Sequence, residues 1–437
     1  MAPDQGSIRD KMRQARRLTG TQKAEGSPQK NKGSHPVTGQ RMRPTVRAQA
    51  TRQKISQRPM PQPAPRRNPV VRPAATAAVS ASAVNDQLRA AVNLIHSKFD
   101  RLESEAQLSD LYNAIGNIDT RLTELPFTLE GLRDRGYVHA GELEDLLEAL
   151  DDKWDEARPR VETALRTQVR QLDVEMDQTE RRLDQLRVIN QATVRAGETA
   201  VSGLEQRIQA AKTAVSNLYS GIDTELYKID HEINQVKTML DLLDGSQDIH
   251  MQEAEGPLLA VAAVWQQDGE KGPEGYLFLT DQRLLFEQRE EVVTKKRFGI
   301  FKAESEIVQR LHIEVSAHEI ESCQHKEEGG FLGIGKDDII ECVFAASASL
   351  SRARFHLKGQ DSAEWAAMIK RVQTGDIDND RADEYIDEAE AAEKTAAAFP
   401  EKCSNCFADI PPQQRGTTSY TCEFCGAIIM PELPESA

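Results

Sequence analysis

The longest regular pattern in the chain is a repeat of apolar side chains at alternating steps of three and four residues. The first series contains Val161, Leu165, Val169, Leu172, Met176, Leu183 and Leu186. The second contains Val201, Leu204, Ile208, Ala211, Val215, Leu218, Ile222 and, after an extra step of four, Leu226, Ile229, Ile233, Val236, Leu240 and Leu243. Such heptads are typical of a coiled coil, so we expect a helical region over residues 83–245 that self-associates along this seam.

Three places in this helical region predict an interruption. Pro126 and Pro159 lie inside the pattern, and a proline in a helix interior breaks or kinks the helix. Residues 191–200 contain Gly197 and few good seam residues, which indicates a weak joint in one rod or the turn of an antiparallel hairpin. Breaks are therefore expected near 126, near 159 and within 191–200.

Over residues 256–375 the period of the pattern becomes that of strands. The strand candidates are residues 258–265, 276–280, 283–286, 291–298, 306–315, 339–344 and 353–357. An amphipathic helix follows, with Trp365, Met368, Ile369 and Val372 on one face. The pattern predicts a partly open β-barrel plugged by a C-terminal helix, and the whole chain is expected to be a multidomain α+β protein.

The segment from Gly275 to Phe286, which reads GYLFLTDQRLLF, and the closing helix with Trp365 resemble the pleckstrin-homology-like (PH-like) superfamily, most closely its GRAM-type members. The resemblance implies a non-catalytic module that docks to lipid headgroups or to protein segments. It also implies that basic side chains near the first hairpins bind the ligand, for which the candidates are Lys295, Lys296 and Arg297. Acidic residues outnumber basic ones over 256–375, so a protein partner fits at least as well as an anionic lipid.

Four of the six cysteines form two Cys-x-x-Cys pairs near the C-terminus, Cys403 with Cys406 and Cys422 with Cys425. Two such pairs at this separation offer four thiolates in the tetrahedral arrangement that suits Zn²⁺. The spacing therefore predicts a zinc ribbon over residues 400–431, with Tyr420 and Phe424 covering the site. Four thiolates leave no open position for water, so the zinc is expected to be structural.

Three other motifs carry no predicted site. Residues 330–337 nearly match a phosphate-binding loop, but Asp337 stands where Ser or Thr holds magnesium, so we interpret them as a glycine-rich hairpin. Residues 376–387 open like a calcium loop, but Arg381 replaces the required glycine, which leaves an acidic helical linker over 376–399. Cys323 and Cys342 are interpreted as small buried apolar residues on strands.

The charge of the chain is strongly asymmetric. Residues 1–80 contain 17 Lys and Arg against three acidic residues, whereas the whole chain has a net charge of −15. This segment is rich in proline and contains no aromatic residue, so it is predicted to be a disordered basic arm. Such an arm can attract nucleic acid, an anionic membrane surface or acidic parts of the same chain.

These features together favour a non-enzymatic cytoplasmic adaptor or scaffold, with some copies at the membrane periphery if the arm binds lipid. Its coiled coil would oligomerise, and its PH-like domain and zinc ribbon would dock protein or lipid partners. Within residues 400–437 the only cations are Lys402 and Arg415, which favours protein over nucleic acid at the ribbon. The alternative is a nucleic-acid-associated protein that uses the basic arm and the ribbon.

Overall fold

The computed structural model describes residues 83–185, 190–295, 304–331 and 334–432, and the predicted arm over 1–80 lies outside them. The first part is a bundle of helices, whose bounds are α1 Ala83–Glu105, α2 Ser109–Asp134, α3 Leu143–Asp184, α4 Gln191–Ser216 and α5 Ser220–Asp244. Helix α2 follows α1 end to end, and α5 follows α4 in the same way. These two composite rods and α3 form the three columns of the bundle.

Ion pairs between the columns fix their directions. Lys98 on α1 contacts Glu205 on α4, and Arg135 after α2 contacts Asp241 on α5, so the first and third columns run parallel. Lys153, near the start of α3, pairs with Glu225 on α5, the second helix of the α4–α5 rod. Helix α3 therefore runs antiparallel to both rods.

The heptad seam is buried inside this bundle. From Val161 to Leu183 on α3, and at most seam positions of α4 and α5, the side chains are buried against other helices of the same chain. Helices α1 and α2 pack on this seam and complete its burial, which the heptad repeat alone does not predict. The predicted seam therefore exists, but burying it does not require a second copy of the chain.

The helices have no break at either proline. The joint expected in residues 191–200 lies just before them, between the end of α3 at Asp184 and the start of α4 at Gln191, and the two helices run antiparallel, as in the hairpin alternative. Helix α2 runs through Pro126, and α3 runs through Pro159, which is exposed while Ala157 and Val161 on either side are buried. A proline in a helix interior costs about 3 kcal/mol, and burial of the flanking apolar side chains outweighs that cost. Residues 191–200 belong to α4.

The actual interruptions lie elsewhere. Asn190 caps α4, because its side chain accepts hydrogen bonds from the backbone N–H groups of Ala192 and Thr193, both at 2.9 Å. Residues 217–219 separate α4 from α5, close to the extra step in the seam. Leu108, which is buried with φ +51°, separates α1 from α2.

The second part is a seven-stranded antiparallel sheet, with strands β1 Pro257–Trp265, β2 Glu274–Thr280, β3 Arg283–Lys295, β4 Glu304–Ser316, β5 Ile320–Phe331, β6 Ile334–Phe344 and β7 Arg352–Leu357. Their spatial order is β4-β3-β2-β1-β7-β6-β5. The predicted barrel is not closed, since β4 and β5 are the two edges of the sheet. Helix α6, Ser362–Gln373, packs against β5 and places Trp365, Ile369 and Val372 in the core, so the helix covers apolar surface that strand pairing leaves open.

Two strand predictions need correction. The candidates 283–286 and 291–298 belong to one continuous strand, β3, as far as Lys295. Strand β5 was not predicted, because its sequence from Ile320 to Phe331 is largely polar. It pairs with β6 down to Phe331 and Ile334, which confirms the interpretation of the glycine-rich segment as a hairpin.

The C-terminal part begins with 3₁₀ turns at Asp376–Asp380 and Asp383–Tyr385 and helix α7, Ile386–Ala397. The cysteine-rich segment then forms two short strands, β8 Tyr420–Thr421 and β9 Ile428–Ile429, which pair with each other. No helix in the described part of the chain is long and apolar enough to cross a membrane.

Candidate metal centre and the junction that holds it

The four predicted zinc ligands come together at one point. The sulfur atoms of Cys403, Cys406, Cys422 and Cys425 all lie within 4.8 Å of one another. The Sγ atoms of Cys403 and Cys425 are 3.6 Å apart, as are those of Cys406 and Cys422. A tetrahedral ion with Zn–S bonds of about 2.3 Å needs its sulfurs about 3.8 Å apart, so the arrangement fits Zn²⁺.

Two similar backbone turns present these thiols. In the first, the N–H of Cys403 donates to the Ala408 carbonyl and the N–H of Phe407 donates to the Cys403 carbonyl, at 2.8 and 2.9 Å. In the second, the N–H of Cys422 donates to the Ala427 carbonyl and the N–H of Gly426 to the Cys422 carbonyl, both at 2.8 Å.

The residue after the last cysteine of each turn has a left-handed backbone. Gly426 has φ +72° and Phe407 has φ +58°. Glycine adopts this conformation without steric penalty, but a residue with a Cβ does not. The first turn therefore carries strain that the second avoids.

Hydrogen bonds to sulfur favour thiolates in this cluster. Backbone N–H groups of Cys406 and Asn405 lower the pKa of the Cys403 thiol. The N–H of Ala427 and the side chain of Asn405 lower the pKa of Cys425 to about 6. The N–H of Ala408 acts in the same direction on Cys406, but burial and the other sulfurs outweigh it and raise that pKa to about 12. Four neighbouring sulfurs cannot all ionise without a cation, which is what a zinc ion supplies.

The cover of the centre differs from the prediction. Tyr420 packs against the small core formed by Cys403, Ile410, Cys422 and Ile429, as expected. Phe424 is 77% exposed and does not cover the site. Residues 400–431, which we call the ribbon after the predicted fold, have four exposed large apolar side chains, Phe407, Phe424, Ile428 and Met430.

Arg415 connects the ribbon to the rest of the chain. Its Nη2 donates to Oδ2 of Asp281 at 2.8 Å, and its Nη1 donates to Oδ1 of Asp378 at 2.9 Å. The other ribbon cation, Lys402, lies 3.4 Å from Asp409. Both cations of the described ribbon therefore have an acidic partner, and Arg415 is largely buried in the contact.

Asp281 is the centre of this junction, and its side chain is fully buried in the turn between β2 and β3. Its carboxylate also accepts hydrogen bonds from Arg381, in the segment before α7, and from the backbone N–H of Gly256 at 3.0 Å. Burial alone would raise the pKa of Asp281, but His139 and the two arginines outweigh it and lower that pKa. We define the Asp281 junction as Asp281, Asp378, Arg381, Arg415 and His139.

His139 brings the helical bundle to the Asp281 junction. Its Nε2 lies 3.3 Å from Oδ2 of Asp281. Burial lowers the pKa of His139, and the nearby carboxylate opposes this only in part, so the imidazole is neutral in the folded protein.

A buried arginine shapes the loop that carries His139. Arg133, at the end of α2, donates to the carbonyls of Tyr137, His139 and Ala140 at 3.0, 2.5 and 3.1 Å. Its guanidinium also forms a two-pronged pair with Glu144 at 2.9 and 3.1 Å. The loop is therefore held by hydrogen bonds to a charged group, which are stronger than those between neutral groups.

Two glycines allow the close approach of backbones at this junction. A Cβ on Gly416, where φ is +87°, would lie 2.5 Å from the carbonyl oxygen of Glu253. A Cβ on Gly141 would lie 2.7 Å from Cα of Ala382. The ribbon and the linker thus pack on the other parts of the chain by backbone contact as well as through Asp281.

The predicted lipid- or partner-binding triplet is described only in part. Lys295 is the last residue of β3, whereas Lys296 and Arg297 lie outside the described residues. Their role stays a prediction.

Comparison with known proteins yields no family. No family model and no curated protein matches the chain. Among solved structures, the DH/PH domains of PDZ-RhoGEF with GTP-γ-S-activated RhoA are 8% identical with a TM-score of 0.24, covering 67% of this chain and 96% of that chain. Autoinhibited Vav1 is 10% identical with a TM-score of 0.19, covering 80% and 67%. At TM-scores this low the likeness supports no inference about fold or function.

Proposed function

We propose that this chain is a non-enzymatic adaptor whose zinc ribbon docks a protein partner through its exposed apolar side chains. The observation that carries the proposal is the exposure of Phe407, Phe424, Ile428 and Met430, at 74, 77, 71 and 59%. Exposed aromatic and methionine side chains are enriched at protein interfaces. A partner that covers them gains about 25 cal/mol for each Å² of apolar surface removed from water.

The charges of the ribbon support a protein partner rather than nucleic acid. Nucleic-acid affinity depends largely on lysine and arginine that contact phosphates. Arg415 is committed to Asp281 and Asp378, and Lys402 lies beside Asp409. Acidic residues of the ribbon, such as Glu423, would repel phosphate.

The rest of the chain serves as a rigid support in this proposal. The Asp281 junction joins the ribbon to the sheet and to the helical bundle, so the apolar residues are presented in a fixed orientation. Pre-organised surfaces lose less conformational entropy on binding. We place the protein in a reducing, cytoplasmic compartment, where four thiolates bind zinc in preference to forming disulfides.

The test compares proteins that co-purify with the full chain and with two matched variants in the source cells. One variant carries Phe424→Ser and Ile428→Ser on the ribbon, and the control carries Val174→Ser on α3, where the valine is 56% exposed. We expect a set of proteins that the ribbon variant loses and the control keeps, with the zinc content of all three equal. If the ribbon variant keeps the whole set, the docking proposal is wrong.

A parallel measurement separates the lipid and nucleic-acid alternatives from this proposal. The full chain and a chain lacking residues 1–80 are tested with anionic vesicles and with duplex DNA at about 0.15 M salt, where exposed charges are screened beyond about 8 Å. Binding that disappears with the arm is a charge effect of the arm. Vesicle binding that survives this deletion and is lost on replacing Lys295, Lys296 and Arg297 by alanine would make lipid the ligand of the PH-like part instead.

A further inference from the structure

Two cysteines outside the ribbon face each other across neighbouring strands. Cys323 on β5 and Cys342 on β6 are direct partners in the register of the antiparallel pair. Their Sγ atoms are 2.8 Å apart, closer than the 3.6 Å separations in the four-cysteine centre. If the two cysteines only filled space in the core, their sulfur atoms would not need to lie this close together.

The geometry is close to that of a disulfide. A disulfide has an S–S bond of about 2.05 Å, so the two sulfurs need to approach by only about 0.8 Å. Within the described part of the sheet, β5 is an edge strand that pairs only with β6, so it can shift toward its neighbour without breaking a second ladder. Closing the disulfide therefore needs only a small movement of β5.

The two thiols differ in their surroundings. Cys342 is 1% exposed, and a hydrogen bond with Cys323, together with burial, raises its pKa. Cys323 is half-buried on the edge strand. A small oxidant therefore meets Cys323 first, while Cys342 is shielded by burial.

We propose that Cys323 and Cys342 form a reversible redox couple that closes to an intrachain disulfide on reaction with a hydroperoxide. The Cys323 thiolate attacks the terminal peroxide oxygen and becomes a sulfenic acid, and the peroxide leaves as water or an alcohol. Cys342 then attacks this sulfur, the S–S bond forms and the sulfenic oxygen leaves as water. The two thiols lose two electrons and two protons, and the peroxide gains them. Two equivalents of a small thiol reverse the reaction by thiol–disulfide exchange.

A metal site at this pair has less support. Among the described residues, the ribbon cysteines are the one group of three or more metal-ligating side chains in reach of a common ion. Two sulfurs alone do not complete the four-ligand set that zinc takes in structural sites. Disulfide formation is the chemistry that two opposed thiols can complete by themselves.

The test treats the zinc-loaded full chain with hydrogen peroxide, blocks free thiols and digests the protein with trypsin. We expect a disulfide-linked pair of peptides, residues 311–326 with residues 337–352, that forms before zinc is released and disappears after treatment with a thiol. Oxidation should also raise the Tm by several degrees, since the bond ties the edge strand to its neighbour. A chromophoric chelator reports zinc release in the same samples.

The matched variants are Cys323→Ala and, as a control on the adjacent residue, Ser322→Ala. The first must lose both the linked peptides and the Tm shift, whereas the second must keep them. Because Cys323 is half-buried on an edge strand, its replacement is expected to leave the fold intact, which an unchanged Tm of the reduced protein verifies. If the linked peptides are absent when the ribbon cysteines are already oxidised, or form only in denatured protein, the proposal is overturned.

Discussion

Alanine at Gly426 and at Gly416 should affect two different properties of the ribbon. Both glycines have positive φ, +72° and +87°. A Cβ on Gly426 would meet no atom of the described residues within 4 Å, so Gly426→Ala is expected to change only the conformational energy. The left-handed backbone costs a residue with a Cβ about 1–2 kcal/mol, and the reduced freedom of the unfolded chain returns about 0.4–1 kcal/mol.

The net cost of Gly426→Ala is therefore about 1 kcal/mol. Since folding of a small zinc module is coupled to metal binding, this cost should appear as a roughly fivefold weaker zinc affinity. Competition with a calibrated chelator measures that affinity directly. The reciprocal change Phe407→Gly relieves the strain in the first turn and should strengthen zinc binding by a similar or smaller factor.

Gly416→Ala adds a clash to the same strain. The new Cβ would lie 2.5 Å from the carbonyl oxygen and 3.0 Å from the nitrogen of Glu253, and neither backbone atom can move away easily. We expect the loop to move away from residues 252–253 and Arg415 to leave Asp281. A hydrogen bond to a charged group contributes about 1.5–3 kcal/mol, so losing the contact between Arg415 and Asp281 should lower stability by about that amount.

The two variants are compared by zinc competition and by hydrogen exchange of residues 252–256. Gly426→Ala should weaken zinc binding and leave exchange over 252–256 unchanged. Gly416→Ala should leave zinc affinity unchanged and speed exchange over 252–256. If both variants weaken zinc binding equally with no change in exchange, the separation of centre and junction is wrong. Equal zinc affinity for Gly426→Ala and the unchanged chain would refute the strain argument.

Four further outcomes follow from the contacts. Removing zinc with a chelator should abolish exchange protection over 400–432 but not in the helical bundle. Replacing Arg415 by methionine should destabilise the protein by about 2 kcal/mol without changing zinc affinity, as measured by denaturant unfolding and chelator competition. Lowering the pH from 8 to 5.5 should reduce stability by up to about 1.4 kcal/mol through His139, whose folded pKa lies below its unfolded value of about 6.5, and His139→Asn should remove that part of the pH dependence. Pro159→Ala should raise stability by about 2 kcal/mol, because it removes the cost of about 3 kcal/mol of a proline in a helix but gives the unfolded chain about 0.4–1 kcal/mol more conformational freedom; an unchanged midpoint of unfolding would contradict this.

The four-cysteine cluster was predictable because its information is local. Each Cys-x-x-Cys pair is complete within four residues, and only one further approach, between Cys406 and Cys422, has to form. The Asp281 junction had no such signal. Asp281 and Arg415 are 134 positions apart, and in the sequence Asp281 looks like an ordinary turn residue.

The helical pattern predicted which side chains are buried but not what buries them. A heptad seam is satisfied equally by a second chain or by another helix of the same chain. Pro159 illustrates the same limit, because local propensity predicts a break and packing at Trp154 and Val161 overrides it. Strand β5 was missed because an edge strand can be polar.

Charge balance at the Asp281 junction explains why its histidine must be neutral. Buried Asp281 and the more exposed Asp378 carry two negative charges, and Arg381 and Arg415 carry two positive charges, so these four groups sum to zero. A proton on His139 would add an uncompensated charge inside the protein, which is costly where desolvation is strong. Removing either arginine would leave the opposite excess on the two carboxylates. The junction is therefore stable as a complete set, and loss of one member should loosen the bundle, the sheet and the ribbon from one another together.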